Sequence, residues 1–224
     1  CEVFFLTTVH TLASGSSGNA AVLSCGDTHL LLDAGISCRR ITTALNVLGL
    51  SPESLSAILI THTHSDHISG LRTLLKKTDC PILATPRACR ELRYRLEETD
   101  GRLIQLEAPV QVGAVSITPI ITSHDAPGSC GWRLDTGDGS VGFLTDTGYV
   151  TEEASDLLPG VDLAILEANH DVEALRSGPY PYYLKRRILG DHGHLSNENA
   201  GRLLNLILHD GMKKIFLGHL SKEN

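Results

Sequence analysis

The sequence predicts an α/β fold, and three observations carry that prediction. Short runs rich in Ile, Leu and Val alternate with stretches whose apolar residues recur at helical spacing. No internal repeat, low-complexity tract or linker-like stretch interrupts the 224 residues, which points to one domain over residues 1–224. Several apolar runs end on His or Asp, and in α/β proteins the carboxyl ends of strands are where sites assemble.

In order along the chain, strands are expected over residues 20–23, 29–32, 57–60, 82–84, 102–106, 114–121, 131–134, 141–145, 163–166 and 214–217. Strands this short and apolar suit positions covered on both faces. Between them, Ile41, Leu45 and Leu48 recur at helical spacing before Gly49, a C-terminal stop. Ile68, Leu71, Leu74 and Leu75 form a second stripe, and Thr85-Pro86 offers a cap and a first-turn proline for a helix to about Glu98. Ser196 caps a last helix with Leu203, Leu204, Ile207 and Leu208 as its buried stripe.

The composition is that of a globular chain, 42% hydrophobic and 20% charged, with a formal charge of -7. No apolar run approaches the ~18 residues that span a bilayer, and the run at residues 3–9 is too short and lacks a basic flank for a signal peptide. No membrane association is expected. Six cysteines without a CxxC pair read as free thiols of the cytoplasm. The acid excess argues against coating nucleic acid by overall charge, while a local basic patch stays compatible with it. One count is out of proportion: eleven His beside four Phe, one Met and one Trp.

That excess concentrates in Thr61-His62-Thr63-His64-Ser65-Asp66-His67, which follows an apolar strand and precedes a helical stripe. In extended backbone, residues two apart point the same way, so His62 and His64 can chelate one ion together. The turn into the helix then aims Asp66 and His67 toward a second. Three further apolar runs lead to His124, Asp146 and His219. His62, His64 and His124 supply nitrogens to one ion, Asp66, His67 and His219 serve the other, and Asp146 is a carboxylate able to bridge. Seven ligands with one shared fit a hydrolytic site of two divalent ions, roughly 3.5–4 Å apart. Imidazole-rich, thiolate-free ligation suits Zn2+ or Mn2+, with Fe allowed, over Mg2+ or Ca2+.

These residues resemble the metallo-β-lactamase fold superfamily over essentially the whole chain, which implies a four-layer αββα sandwich with its metal site at one edge of two facing sheets. Leu31-Leu32-Asp33-Ala34-Gly35 is similar to the early strand and turn of that fold, where Asp33 would orient a ligand from behind. The segments 13–20, 123–127, 143–148, 167–171, 193–197 and 217–221 together resemble the YycJ/WalJ-type branch. That resemblance implies a metal-dependent exonuclease acting on double-stranded DNA from the 5′ end, with DNA as substrate and DNA-repair proteins as partners. The ligand set is similar to those of ribonuclease Z and the small phosphodiesterase of phosphonate metabolism. Members of this branch usually continue for several dozen residues past the last His, so truncation at the C-terminus is expected.

Coordination by two dications lowers the pKa of water to near 7 and supplies a nucleophile at neutral pH. Asp66 and His194 are the expected catalytic pair, His194 as proton donor to the leaving alkoxide. The helix start at Ser196 is positioned to receive a phosphate. In Tyr180-Pro181-Tyr182-Tyr183-Leu184-Lys185-Arg186-Arg187, the three Tyr, Tyr182 first among them, could stack on bases while the three consecutive bases Lys185, Arg186 and Arg187 hold phosphates, Lys185 and Arg186 foremost; a Pro-rich loop entering a solvated helix is the competing reading. The segment 14–18 lacks the Lys and spacing of a phosphate loop and reads as a tight turn near the site. Acyl-type hydrolysis of a lactone, thioester or β-lactam is the alternative activity, and a metal-binding regulator without turnover is the third. Asp146 as a bridge and the Tyr/Lys/Arg segment favour a phosphodiester.

Overall fold

Two six-stranded sheets face each other in the computed structural model, which describes residues 6–221. The first sheet, in the order β1-β2-β3-β4-β5-β6, contains β1 (Thr7–Ala13), β2 (Ala20–Cys25), β3 (Thr28–Leu32), β4 (Ala57–Leu59), β5 (Ile82–Ala84) and β6 (Leu103–Gln105). Its first three strands pair antiparallel and the rest parallel. The second sheet runs from β7 (Val110–Val112), β8 (Val115–Ile121) and β9 (Cys130–Asp135) to β10 (Ser140–Leu144), β11 (Leu163–Glu167) and β12 (Lys214–Gly218). Here too the early strands are antiparallel, and β10, β11 and β12 run parallel.

Helices cover both outer faces: α1 (Cys38–Val47), α2 (Ser65–Ile68), α3 (Leu71–Leu74) and α4 (Pro86–Arg95) belong to the first half, α5 (Glu152–Leu157), α6 (Val172–Ser177), α7 (Tyr182–Leu189) and α8 (Asn197–Ile207) to the second. Strand alternation explains the four layers. Leu30 and Leu32 point inward to meet Trp132, Leu134 and Phe143 of the opposite sheet, whereas Leu31 points outward to pack with Ile41, Leu45 and Leu71. On the far side Leu144, Ala164 and Leu166 pack under Ala154, Leu203 and Ile207. Each such buried aliphatic or aromatic side chain is worth about 1.5–3 kcal/mol over an exposed one. The expected αββα sandwich is therefore present, and its double coverage is why the strands read as continuous apolar runs.

Differences from the sequence reading have local causes. β1 was not expected; its Thr and His residues break the apolar pattern at a sheet edge. β7 was likewise not expected, since the expected run starts at residue 114. The stripe Ile68 to Leu75 forms two short helices instead of one, because Gly70 lies against the loop before α1: a Cβ there would sit 2.0 Å from the Ile36 carbonyl oxygen. Leu208, expected in the buried stripe, is 58% exposed because α8 ends before it. Cys25, Cys38, Cys80, Cys89 and Cys130 are free and buried, and Cys1 lies outside the described residues. Among the described residues no helix is long and apolar enough to cross a membrane.

Candidate metal centre

The carboxyl ends of β3, β4, β8, β10, β11 and β12 converge on one place. Among the described residues, Asp33 (φ 59°), Asp146 (φ 58°) and His219 (φ 52°) are the non-glycine residues with left-handed backbone, and each lies at or just beyond such a strand end. Asp tolerates this conformation better than most residues and His somewhat less readily than glycine, so the bend is a local cost borne where side chains must be re-aimed.

His62, His64 and His124 form a triad whose candidate ligand nitrogens lie within 4.8 Å of one another. Asp66, His67 and His219 form another such group, and Asp146 joins His62 and His67 in a third. Asp146 lies between: Oδ2 is 3.2 Å from His67 Nε2, and Oδ1 is 3.3 Å from His219 Nε2 and 3.8 Å from His124 Nε2. The seven residues expected as ligands are thus brought together.

Behind each ring, the nitrogen turned away from the centre has a partner. Asp33 Oδ2 faces His67 Nδ1 at 2.8 Å, and Asp33 also accepts from the Thr61 amide and hydroxyl. Thr61 Oγ1 meets His62 Nδ1 at 3.1 Å, His124 Nδ1 donates to the Gly193 carbonyl at 2.9 Å, and Asp125 Oδ1 is 3.4 Å from His64 Nε2. On the other side Glu167 Oε1 is 3.4 Å from His219 Nδ1 and 2.7 Å from His194 Nδ1, while Oε2 accepts from the Thr147 and Leu195 amides. Such partners fix the tautomer and leave the opposite nitrogen for an ion. His62 Nε2, His219 Nε2 and Asp146 Oδ2 are buried with no hydrogen-bond partner. Buried polar atoms are rarely left so, and an ion at the centre would satisfy them. With imidazoles and carboxylates and no thiolate, the donor set fits a divalent metal.

Charge among these side chains divides along the same line. Burial and the neighbouring His67 lower the His62 pKa well below its usual value, and burial also lowers those of His64 and His124. Burial opposes protonation of His67 too, but Asp146 and Asp33 raise its pKa well above normal. For His219, burial is outweighed by Asp146 and by the neighbouring Asp66 and Glu167 carboxylates, which push the pKa up to about 10. His194 is raised against its burial by the hydrogen bond to Glu167. Burial would raise Asp146, but His219 and His67 hold it well below the usual carboxylate range.

Two glycines let the loops close. A Cβ on Gly35 would fall 1.6 Å from the Asp66 carbonyl oxygen, and one on Gly148 would fall 2.2 Å from that of Asp191. The Gly/Ser turn behaves as expected: Gly18 donates to the Gly15 carbonyl, Ser14 Oγ accepts from the His219 amide, and Asn19 Nδ2 lies 3.0 Å from His67 Nε2.

The expected substrate residues have partners of their own within the protein. Lys185 directs its ammonium to the Arg176 and Gly178 carbonyls at the end of α6, both at 2.7 Å. Arg186 and Tyr182 are exposed on α7 and meet each other, the guanidinium carbon 6.0 Å from the ring centroid. Ser196 commits its hydroxyl to the Asn199 amide as the α8 cap. His194, by contrast, stands at the centre, its Nδ1 3.5 Å from Asp146 Oδ1. Sequence reasoning missed Glu167, although it ends an apolar strand as Asp146 nearly does, and it missed Asp125, the partner of Arg187. Arg187 grips Asp125 with Nε at 2.6 Å and Nη2 at 3.2 Å.

Two layers of helix around two facing sheets, with a His/Asp centre at the strand ends, define a metal-dependent hydrolase of the metallo-β-lactamase fold. The chain belongs to the beta-lactamase superfamily, whose domain model matches residues 28–217. It is 42% identical to exodeoxyribonuclease WalJ of Streptococcus pneumoniae over 95% of this chain and 81% of that protein. It is 36% identical to exodeoxyribonuclease YycJ of Bacillus anthracis over 95% of this chain and 82% of that protein. Among solved structures, the metallo-β-lactamase fold protein YhfI from Bacillus subtilis superposes with a TM-score of 0.76 at 19% identity, over 98% of this chain and 88% of that one. A diphosphatase of the PhnP family superposes with a TM-score of 0.70 at 18% identity, over 98% and 88% of the respective chains.

Proposed function

We propose that the protein is a phosphodiesterase with two divalent ions, Zn2+ or Mn2+, that acts as an exonuclease on duplex DNA in the 5′ to 3′ direction. The observation that carries this reading is Asp146, whose two oxygens lie within 3.2–3.8 Å of nitrogens from both groups of ligands, the position a shared carboxylate requires. The exodeoxyribonuclease relatives at 42% and 36% identity support the substrate class.

His62, His64 and His124 would hold one ion, Asp66, His67 and His219 the other, and Asp146 both. Bound there, the ions would lower the pKa of water to near 7 and neutralise charge on the phosphate oxygens. The remaining steps belong to the protein. Glu167 fixes Nδ1 of His194, which leaves Nε2 to deliver a proton to the departing alkoxide oxygen. Asp33 and Glu167 hold the rings of His67 and His219 at fixed tilt, so the ligand set is preorganised before substrate arrives.

The test incubates metal-loaded protein with 5′-labelled duplex DNA, bis-p-nitrophenyl phosphate, a lactone and nitrocefin. Phosphodiester cleavage is expected, and Asp146→Ala should lower it by more than about 100-fold, since even outer partners of ligands cost 10–100-fold. Turnover of the lactone or nitrocefin without phosphodiester cleavage would overturn the reading.

A further inference from the structure

Arg187 lies in the last turn of α7, and its place is set by the loop that also serves the candidate metal centre. The Gly193 backbone packs so closely on this helix end that a Cβ would fall 2.3 Å from the Arg187 carbonyl oxygen, and the same Gly193 accepts from His124 Nδ1. The His194 amide donates to the Ile188 carbonyl at 3.0 Å. The helix end and the ligand loop therefore form one piece. From it the guanidinium reaches Asp125 in a two-point grip, and Asp125 Oδ1 is 3.4 Å from His64 Nε2 and 3.5 Å from His124 Nε2.

That grip uses Nε and one Nη2 hydrogen out of the five N–H donors of a guanidinium. The others have no partner among the described residues, and the side chain is 52% exposed. A half-exposed ion pair adds little to stability, so fold stability is a poor account of so exact a placement. A cleft of about 910 Å³ is lined by Asp125 and His124 and bordered by Arg87, Arg90 and Tyr149. A strand entering by that cleft would bring its phosphate to His124 and to Asp125, the carboxylate that the Arg187 fork grips.

Resting on the phosphodiesterase reading, we propose that Arg187 is the residue that receives the scissile phosphate beside the histidine triad, and that Asp125 is the positioning residue that holds its fork. The planar fork matches two oxygens of a phosphodiester, which a lysine ammonium cannot do. The basic residue that serves the substrate is thus the one turned toward the site, whereas its neighbours Lys185 and Arg186 are turned to α6 and to Tyr182.

The test compares Arg187→Ala, Arg187→Lys and, as a distant control, Arg202→Ala in the metal-loaded protein. Inorganic phosphate binding is read by calorimetry, and kcat and KM are read on bis-p-nitrophenyl phosphate and on 5′-labelled duplex DNA. Arg187→Ala should weaken phosphate binding about tenfold or more and lower kcat/KM by a similar factor on both substrates, with metal content and Tm unchanged. Arg187→Lys should recover only part, which also decides the matter if the alanine variant fails to fold; Arg202→Ala should match the parent. Equal phosphate affinity in Arg187→Ala and the parent would overturn the proposal, as would a loss confined to duplex DNA, which would assign Arg187 to a remote phosphate. If the parent cleaves neither phosphodiester, the phosphodiesterase reading falls, while phosphate binding still decides the role of Arg187.

Discussion

The two halves of the molecule build the same kind of strand end by different means. In the first half, β3 leads into Asp33-Ala34-Gly35; in the second, β10 leads into Thr145-Asp146-Thr147-Gly148. Both aspartates have φ near 58°, and both glycines lie against a backbone carbonyl of a loop that carries site residues. Yet Asp33 faces the outer nitrogen of His67 and Thr61, while Asp146 faces the inner nitrogens of both groups. In the second half the outer role falls to Glu167, one strand further along. The same turn therefore places its carboxylate behind a ring in one half and between the clustered nitrogens in the other. The difference lies in how far beyond the strand the carboxylate stands: next to the last residue of β3, two beyond that of β10.

The largest break of this comparison is steric. Gly35→Ala and Gly148→Ala should each destabilise by about 1–3 kcal/mol or more, Gly35→Ala the more severely because its contact is the closer. Denaturant unfolding of the two variants checks this; equal, near-zero losses would mean that the loops yield freely. Next come the supports. Asp33→Asn and Glu167→Gln should each lower metal affinity by 10–100-fold, about 1.4–2.7 kcal/mol, as measured by competition with a chelating dye. If only one of them does so, the halves are not equivalent supports.

The smallest effect concerns protons. His67 and His219 have raised pKa values in the metal-free protein, so each must lose a proton before it can ligate. Affinity at their group should therefore rise with pH, about 1.4 kcal/mol per pH unit per proton released, up to the His219 value of about 10. His62, His64 and His124, with lowered pKa values, are already neutral near pH 7 and should bind without this dependence. Calorimetry in buffers of different ionisation enthalpy reads the protons released. Release of none at pH 7 would erase the distinction between the two groups.

Legibility in the sequence follows the same division. The first half packs His62, His64, Asp66 and His67 into one run, where local spacing alone reveals the chemistry. His124, Asp146 and His219 were readable only because each follows an apolar strand. Glu167 carries that signal too, but a lone acid after a strand resembles an ordinary surface residue until the sheet folds over it and leaves it fully buried. Arg187 could not be told from Lys185 and Arg186, since the helix rotation that turns it to Asp125 depends on where Gly190 and Gly193 end α7. β1 stayed hidden because an edge strand needs only one apolar face.

The three left-handed residues at the strand ends have a consequence for any attempt to harden this protein. Each non-glycine residue held in that conformation costs on the order of 1 kcal/mol or more, and glycine would relieve it. Directed evolution for heat resistance alone would be rewarded at Asp33, Asp146 and His219, three positions whose side chains are at or behind the metal centre. Selection for melting temperature without selection for turnover should therefore yield sturdier proteins that no longer hold the ions.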